Sequence, residues 1–199
     1  MIIVDIETTG LDVSTHGLLS IGAIDMRAPS RRFYQEARMH EDDAYDPEST
    51  KVNGFDLAAA RDQSKQSRSS LLRNFADWFD SRQVKVVGGL HIQAFDVPFL
   101  NHKAEQSRVS LKLKKRTIDL HTLAYANMSK RKKIVPLTDG WSVMDTDVIF
   151  PYCGLPKQSP PHHALKDAMW EAEAMYRLMH GKKLLKQFDN YAVPSYLRK

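Results

Sequence analysis

Hydrophobic residues divide the first part of the chain into short, β-branched runs that are separated by turn residues such as Gly10 and Gly17. The runs are MIIVDIE (1–7), LLSIGAIDM (18–26) and RRFYQEARM (31–39). This pattern predicts three consecutive strands in a meander. A later apolar run, VKVVGGLHI (84–92), predicts a fourth strand.

Helical spacing of apolar residues occupies much of the remaining chain. The predicted helices are a short one near 47–56 and longer ones at 69–80, 96–107, 120–128 and 163–181. In the last of them Leu165, Ala168 and Ala172 recur on one face. Three strands followed by alternating helices and strands predict an α/β domain around a mixed sheet.

Composition favours one domain. The chain has 199 residues, of which 42% are hydrophobic, and no linker-like stretch divides it. We expect a domain over residues 1–181 and a tail over 182–199. Its only cysteine, Cys153, excludes an intrachain disulfide and favours a reducing compartment. Asp5 and Glu7 interrupt the first apolar run, so we expect a soluble, cytoplasmic protein with no membrane partner.

Positive charge is clustered along the chain. The formal net charge is +5, and basic runs occur at LKLKKR (111–116) and KRKK (130–133). An acidic run, EDDAYD (41–46), opposes them. The basic runs have two interpretations, a solvated surface or contacts to nucleic-acid phosphates, and both stay open at this point.

Two acidic residues lie at the end of the first predicted strand. Asp5 and Glu7 are two residues apart, so their side chains project from the same face at a backbone spacing of about 6.6 Å. Such a pair is either a solvated strand end or a ligand pair for one cation. A divalent ion would stabilise the doubly ionised pair.

Two further acids are candidates for the same site. Asp96 follows the fourth strand and lies at the start of the next helix, where an aspartate either caps the helix or takes part in a site. Asp167 lies on the last helix beside Ala164 and Ala168, small residues that allow close approach to the sheet.

Three motifs together resemble the DEDDh family of 3′-to-5′ exonucleases, which includes polymerase proofreading subunits and ribonuclease T. They are DIETTGL (5–11), HIQAFDVPFL (91–100) and HHALKDA (162–168), and VNGFD (52–56) and TIDLHTLAY (117–125) are similar to further family landmarks. The resemblance implies a ribonuclease H-like fold, with a central five-stranded mixed sheet flanked by helices. It also implies a role in DNA repair or proofreading.

The resemblance assigns roles to individual residues. The metal-binding carboxylates are Asp5, Glu7, Asp96 and Asp167, the general base is His162, and the contacts to the terminal nucleotide are Thr8, Leu11 and Phe95. The implied cofactors are two Mg²⁺ or Mn²⁺ ions, which suit hard oxygen ligands. Two such ions about 3.5–4 Å apart would stabilise the attacking and leaving oxygens of a phosphodiester. A histidine can accept the proton of the attacking water at neutral pH.

The sequence departs from the family pattern at two positions. Ile92 stands where the second motif commonly has Asn, and Glu171 stands where the third helix commonly has Thr. Neither is a catalytic ligand position, and for the first change two effects stay open: an altered tethering of the motif or an altered hold on the substrate strand. We expect Asp119 to cap the following helix, and His163 to be an exposed neighbour of the base.

The three tryptophans are expected to pack in or near the core rather than to serve as stacking platforms. They are Trp78, Trp141 and Trp170.

The motifs favour a metal-dependent exonuclease that acts on 3′ ends of single-stranded DNA or RNA and releases nucleoside 5′-monophosphates. A catalytically silent nucleic-acid-binding scaffold and a structure-selective endonuclease are the alternatives. The scaffold would be expected to lack an acid or the histidine. For the tail, packing on the domain, self-association and docking on a polymerase all stay open.

Overall fold

The computed structural model describes residues 1–198, and within them the strands form a five-stranded sheet and a separate hairpin. The sheet contains β1 (Ile2–Thr8), β2 (Leu18–Asp25), β3 (Arg32–Glu36), β4 (Val87–Gly89) and β5 (Ile118–Asp119), in the order β3-β2-β1-β4-β5. The β1–β2 and β2–β3 pairs are antiparallel, while β1–β4 and β4–β5 are parallel. The predicted mixed five-stranded sheet is confirmed.

Helices cover both faces of this sheet. They are α1 (Pro47–Asn53), α2 (Leu57–Ala60), α3 (Arg68–Asp80), α4 (Asp96–Gln106), α5 (Leu120–Lys130), α6 (Thr146–Tyr152) and α7 (Ala164–His180). Side chains of β1 alternate between two hydrophobic cores, one on each face of the sheet. Val4 and Ile6 pack with α3 and α4, whereas Ile3 packs with α5, α6 and α7. Asp5 and Glu7 are two and four residues after Ile3, so their side chains lie on the same face of the sheet as Ile3, the face covered by α7.

Several elements differ from the sequence-based prediction. The fourth strand is paired only over Val87–Gly89 rather than over 84–92, because His91 takes a left-handed φ of 52° and turns the chain toward α4. Helix α6 and the hairpin of β6 (Leu137–Thr138) and β7 (Trp141–Ser142) are not predicted by the apolar pattern. Both are too short, or too exposed, to carry a clear hydrophobic period.

The tryptophans divide into two groups. Trp78 packs against Phe33, and Trp170 packs between Phe150 and Phe188, as expected. The expectation for Trp141 is wrong, since 78% of its surface is exposed on the hairpin. Thr138 of β6 pairs with Trp141 of β7 across a two-residue turn, so Trp141 lies on a separate two-stranded hairpin and not on the central sheet.

One glycine decides how closely α7 approaches the sheet. A Cβ built on Gly22 would lie 2.1 Å from the carbonyl carbon of Ala164, a distance that no side chain could occupy. Gly22 pairs with Asp5 across the β1–β2 ladder. The start of α7 therefore lies directly over the strand position that carries Asp5, and Asp167 follows one helical turn later.

The chain after α7 is held to the domain by a buried ion pair. Arg177 Nε donates to Glu173 Oε1 at 2.7 Å, and neither side chain has exposed surface. Glu173 Oε2 accepts from the backbone N–H groups of Leu184 and Leu185 at 2.9 and 2.8 Å. The Arg177 guanidinium also donates to backbone carbonyls on both sides of it, those of Cys153, Gly154, Phe188, Tyr191 and Ala192.

We expect Arg177→Met to lower the free energy of unfolding by about 3–5 kcal/mol, because it leaves the Glu173 carboxylate buried and unpaired. Arg177→Met combined with Glu173→Gln should lose less, since the amide oxygen still accepts hydrogen bonds and carries no charge. Urea unfolding measures both, with Met179→Ala on the same helix as an exposed control. A loss below about 1 kcal/mol in Arg177→Met would contradict this role of the ion pair.

Among residues 1–198, no helix is both long enough and apolar enough to cross a membrane.

Candidate active site

Three carboxylates converge where β1 ends beneath the first turn of α7. One ligand oxygen from each of Asp5, Glu7 and Asp167 lies within 4.8 Å of the others. Strand alternation aligns Asp5 with Glu7, and the close approach at Gly22 adds Asp167 from above. The geometry is that of a site able to hold a divalent cation through hard oxygen ligands.

Asp96 lies beside this group but outside it. It is the first residue of α4 and is 5% exposed, and the N-cap position before it is occupied by Phe95, whose side chain makes no capping hydrogen bond. The alternative reading of Asp96 as a helix cap is therefore wrong. Burial raises its pKa to about 8, against hydrogen bonds from the backbone that lower it.

The Asp167 carboxylate is held on both oxygens. His162 Nδ1 lies 2.8 Å from Oδ2, and the backbone N–H of His163 donates to the same oxygen at 3.3 Å. The Gln158 side-chain amide donates to Oδ1. His162 itself is anchored, because its backbone N–H donates to the Val52 carbonyl of α1 at 2.8 Å.

The histidine next to it occupies a different environment. The His163 ring stacks on Tyr34 with the ring centroids 4.1 Å apart, and its Nδ1 accepts from the Lys166 N–H as the N-cap of α7. His163 is exposed, as expected. The predicted cap at Asp119 is also confirmed, since its side chain accepts from the Thr122 N–H at the start of α5.

Burial and mutual repulsion dominate the electrostatics of the cluster. Burial raises the pKa of Asp5 well above its usual range, and the charge of Glu171 adds to the effect. Burial and the charge of Asp167 raise the pKa of Glu7 to about 7. The hydrogen bond to Asp167 raises the pKa of His162. A bound divalent cation would offset this repulsion, so the donor set fits Mg²⁺ or Mn²⁺.

A cavity of about 320 Å³ opens directly beside the carboxylates. Thr8, Leu11 and Phe95, the predicted nucleotide contacts, all line it together with Glu7 and His162. Leu11 is 74% exposed, although it is a large apolar residue. Asn53 fixes the edge of the cavity, because its side-chain amide donates to the Thr8 carbonyl at 3.0 Å.

Sequence reasoning missed the part played by Glu171. It is 4% exposed and its Oε2 accepts from the Leu90 N–H at 3.1 Å, which ties the end of β4 to α7. Burial and the charge of Asp96 raise its pKa well above the usual range. The available signal was its position four residues after Asp167, which places both acids on one helix face. Ile92, the other departure, is a fully buried core residue.

A sequence model of the RNase T exonuclease family matches residues 2–175 of the chain. The chain belongs to this exonuclease family. This match confirms the resemblance to exonucleases of the ribonuclease H-like fold. No curated protein sequence matches the chain.

Solved structures of E. coli exonuclease I share the fold. The complex with a 5cy-dT13 oligonucleotide has a TM-score of 0.69 at 16% identity, and the match covers 89% of this chain and 40% of that one. The complex with a dT13 oligonucleotide has a TM-score of 0.67 at 15% identity, with 95% and 42% covered. The zinc-bound complex with single-stranded DNA has a TM-score of 0.67 at 13% identity, with 91% and 41% covered. This chain therefore spans about 40% of the length of those enzymes.

We expect Glu171→Leu to reduce turnover by about 10- to 100-fold, the usual effect of losing an outer partner that positions a site residue. The change frees the Leu90 N–H and with it the segment that leads to Asp96. Glu171→Gln keeps an oxygen for that N–H and should stay within a few-fold of the parent. The dependence of rate on Mg²⁺ concentration measures both variants. Equal losses in the two would mean that the charge matters and the hydrogen bond does not.

The raised carboxyl pKa values predict how stability depends on pH without metal. Folding moves the pKa of Glu7 from 4.5 to about 7. Between these values the folded chain holds more protons than the unfolded chain, so the free energy of unfolding falls as pH rises from 4.5 to about 7. Mg²⁺ binds the deprotonated set and should therefore raise the melting temperature more above pH 7 than below it.

Calorimetry in EDTA and in Mg²⁺ tests this expectation. Asp5→Asn removes one of the repelling charges and should flatten the pH dependence in EDTA. A Mg²⁺ increment that is larger at low pH would contradict the assignment.

Proposed function

We propose that this chain is a metal-dependent 3′-to-5′ exonuclease. Its substrate would be the 3′ end of single-stranded DNA or RNA, and its product nucleoside 5′-monophosphates. The observation that carries the proposal is the convergence of Asp5, Glu7 and Asp167 with His162 beside one nucleotide-sized cavity. A cavity of this size suits one terminal nucleotide, with its phosphate at the carboxylates.

The proposed roles follow from the positions of the side chains. Asp5, Glu7 and Asp167 would hold the ions, with Asp96 as the fourth acid of the site. Two bound Mg²⁺ or Mn²⁺ ions would lower the pKa of the attacking water and stabilise the leaving 3′ oxygen. His162 would accept the proton of that water, and Gln158 and the His163 N–H keep the Asp167 carboxylate oriented.

The cavity residues supply the orientation of the substrate. Leu11 and Phe95 offer apolar surfaces to a base or sugar, and both line the same cavity as Glu7. Positioning of this kind lowers the barrier by aligning the reacting groups in advance. The side chains would thus place one nucleotide at a time at the carboxylates.

Two alternatives are less well supported. A silent scaffold would be free to lose an acid or the histidine, and the chain retains all of them. A single-stranded substrate is favoured over a structured one because the E. coli exonuclease I structures with this fold hold dT13 and single-stranded DNA.

We propose residues 1–181 as the exonuclease domain, against which the tail packs through Arg177 and Glu173.

A product assay tests the proposal. DNA and RNA oligonucleotides of matched sequence, labelled at either end, would be incubated with Mg²⁺, with Mn²⁺ and with EDTA. The proposed activity releases the 3′ label at once as a mononucleotide and shortens the 5′-labelled strand one nucleotide at a time, only with metal. Internal fragments as first products would indicate an endonuclease, and an absence of products would favour the scaffold.

A further inference from the structure

The β6–β7 hairpin presents apolar side chains to solvent. Trp141 of β7 is 78% exposed and Leu137 of β6 is 56% exposed, and Ile134, three residues before the hairpin, is 90% exposed. Asp139 and Gly140 form the turn with φ angles of 50° and 82°, which are the values of a type I′ turn. A Cβ on Gly140 would meet nothing within 4 Å, so the tip of the hairpin projects away from the domain.

Rings connect this hairpin to the active site. His91 lines a cavity of about 310 Å³ together with Asp5 and Asp96. Its ring lies 5.6 Å from that of His121, which lies 6.2 Å from that of Tyr125. His121 Nε2 is 2.8 Å from Ser142 Oγ, next to Trp141 in the hairpin. We call His91, His121, Tyr125 and Trp141 the aromatic strip.

A basic run lies between two elements that carry the aromatic strip. It begins at Lys130, the last residue of α5, ends at Lys133, and precedes the hairpin. Lys130 and Lys132 are exposed, and neither forms an ion pair within the part of the chain that the structure describes. Separate rings next to free cations are the combination that binds single-stranded nucleic acid, through base stacking and phosphate contacts.

We propose that the aromatic strip binds the nucleotides that lie 5′ to the one being removed. The inference rests on the proposed function, since it gives the strip the strand whose 3′ end occupies the active site. Two cavities share Asp5 and Asp167 in their lining: Leu11 lines the first, and His91 lines the second together with three further acids, Asp96, Asp145 and Glu171. With the terminal nucleotide in the first, the rest of the strand leaves through the second, toward His121 and the hairpin.

Charge favours a nucleic acid over a protein as the occupant. The strip includes two histidines, and the chain from the end of α5 toward the hairpin carries four consecutive basic residues, which suits an anionic strand better than an apolar protein surface. Stacking platforms tolerate any base, so the strip would add affinity without adding sequence preference.

A kinetic experiment measures the contribution of the strip. For the full chain, kcat/KM would be compared between an oligothymidylate of about 15 nucleotides and a dinucleotide, which is too short to reach the strip. Trp141→Ala and Tyr125→Ala are each expected to reduce the preference for the long substrate by about 5- to 100-fold, the usual value of one base–aromatic stack. Tyr191→Ala, an exposed tyrosine away from the strip, should leave the preference unchanged. An unchanged preference in both strip variants would overturn the proposal.

A binding experiment separates this proposal from the proposed function. In EDTA, where no hydrolysis is expected, the oligothymidylate should quench the tryptophan emission of the parent. Trp78 and Trp170 are partly buried and packed, so Trp141→Phe should lose most of that quenching. Quenching that persists in Trp141→Phe would overturn the strip, as would a parent without quenching. If the oligothymidylate quenches Trp141 in the parent but neither substrate is degraded when Mg²⁺ is present, the proposed function is wrong and the proposed binding at the strip still holds.

Sedimentation tests the protein alternative. If Trp141→Ala abolishes self-association of the chain and leaves oligothymidylate binding unchanged, the hairpin is a protein contact and the proposal is wrong. Binding that weakens in Trp141→Ala with an unchanged sedimentation profile supports the strip.

Discussion

Replacement of Asp5 or Asp167 by alanine is expected to abolish hydrolysis, with a loss of at least about 10⁴-fold in turnover. Each change removes one of the three oxygens that lie within 4.8 Å of one another, and the remaining pair should hold a cation more weakly and in a different position. The fold should persist, because both residues repel their neighbours when no metal is bound. Melting without metal should therefore be unchanged or occur at a slightly higher temperature.

Asp119→Asn is the matched control for these variants. Asp119 is a nearby acid, but it caps α5, and asparagine preserves a cap. We expect this control to retain turnover close to that of the parent. Isothermal titration with Mg²⁺ and single-turnover kinetics on a 3′-labelled oligonucleotide measure all the variants. Near-normal turnover in Asp5→Ala or Asp167→Ala would refute the assignment of these carboxylates as metal ligands.

His162→Ala is expected to reduce turnover by about 10²- to 10⁴-fold, the usual cost of losing a general base, while most metal binding is retained. His162 lies on the segment before α7 and reaches Asp167 from outside the helix, so its ring borders both the carboxylates and the nucleotide cavity. Removing it leaves Asp5 and Glu7 in place. The loss should therefore appear in the chemical step.

The dependence of the rate on pH gives a second readout for the same residue. A base must be deprotonated to act, so the parent rate should fall as pH drops through the pKa of His162. The hydrogen bond to Asp167 raises the pKa of His162 in the metal-free chain, and bound cations would oppose that shift. His162→Ala should lack this fall in rate.

His163→Asn separates the two adjacent histidines. Asparagine keeps an N-cap for α7 and removes only the ring that stacks on Tyr34. The loss of that ring should reduce turnover far less than the loss of a general base. We expect turnover within a few-fold of the parent. Equal losses at both positions, or a loss only at His163, would mean that the base has been assigned to the wrong histidine.

Local patterns in the sequence determined much of the fold and most of the candidate site. The β-branched run 2–6 predicts β1, and the period of two in a strand places Asp5 and Glu7 on one face. Asp96 at the start of α4 and Asp167 on the face of α7 that meets the sheet follow from strand–helix junctions and helical spacing. These properties depend on neighbours a few residues away, so the sequence carries them directly.

Tertiary structure alone decided which of these elements meet, and how closely. Asp167 reaches Asp5 only because Gly22, on a third element, has no side chain beneath Ala164. Glu171 acquires its tie to Leu90 only because β4 ends beside α7, and Arg177 becomes buried only because the tail folds back over it. Each of these contacts joins residues that are distant along the chain. Hydrophobic periodicity specifies which face of an element is buried. Which other element packs on that face, and how closely, is determined by the close packing of all the elements in the folded chain.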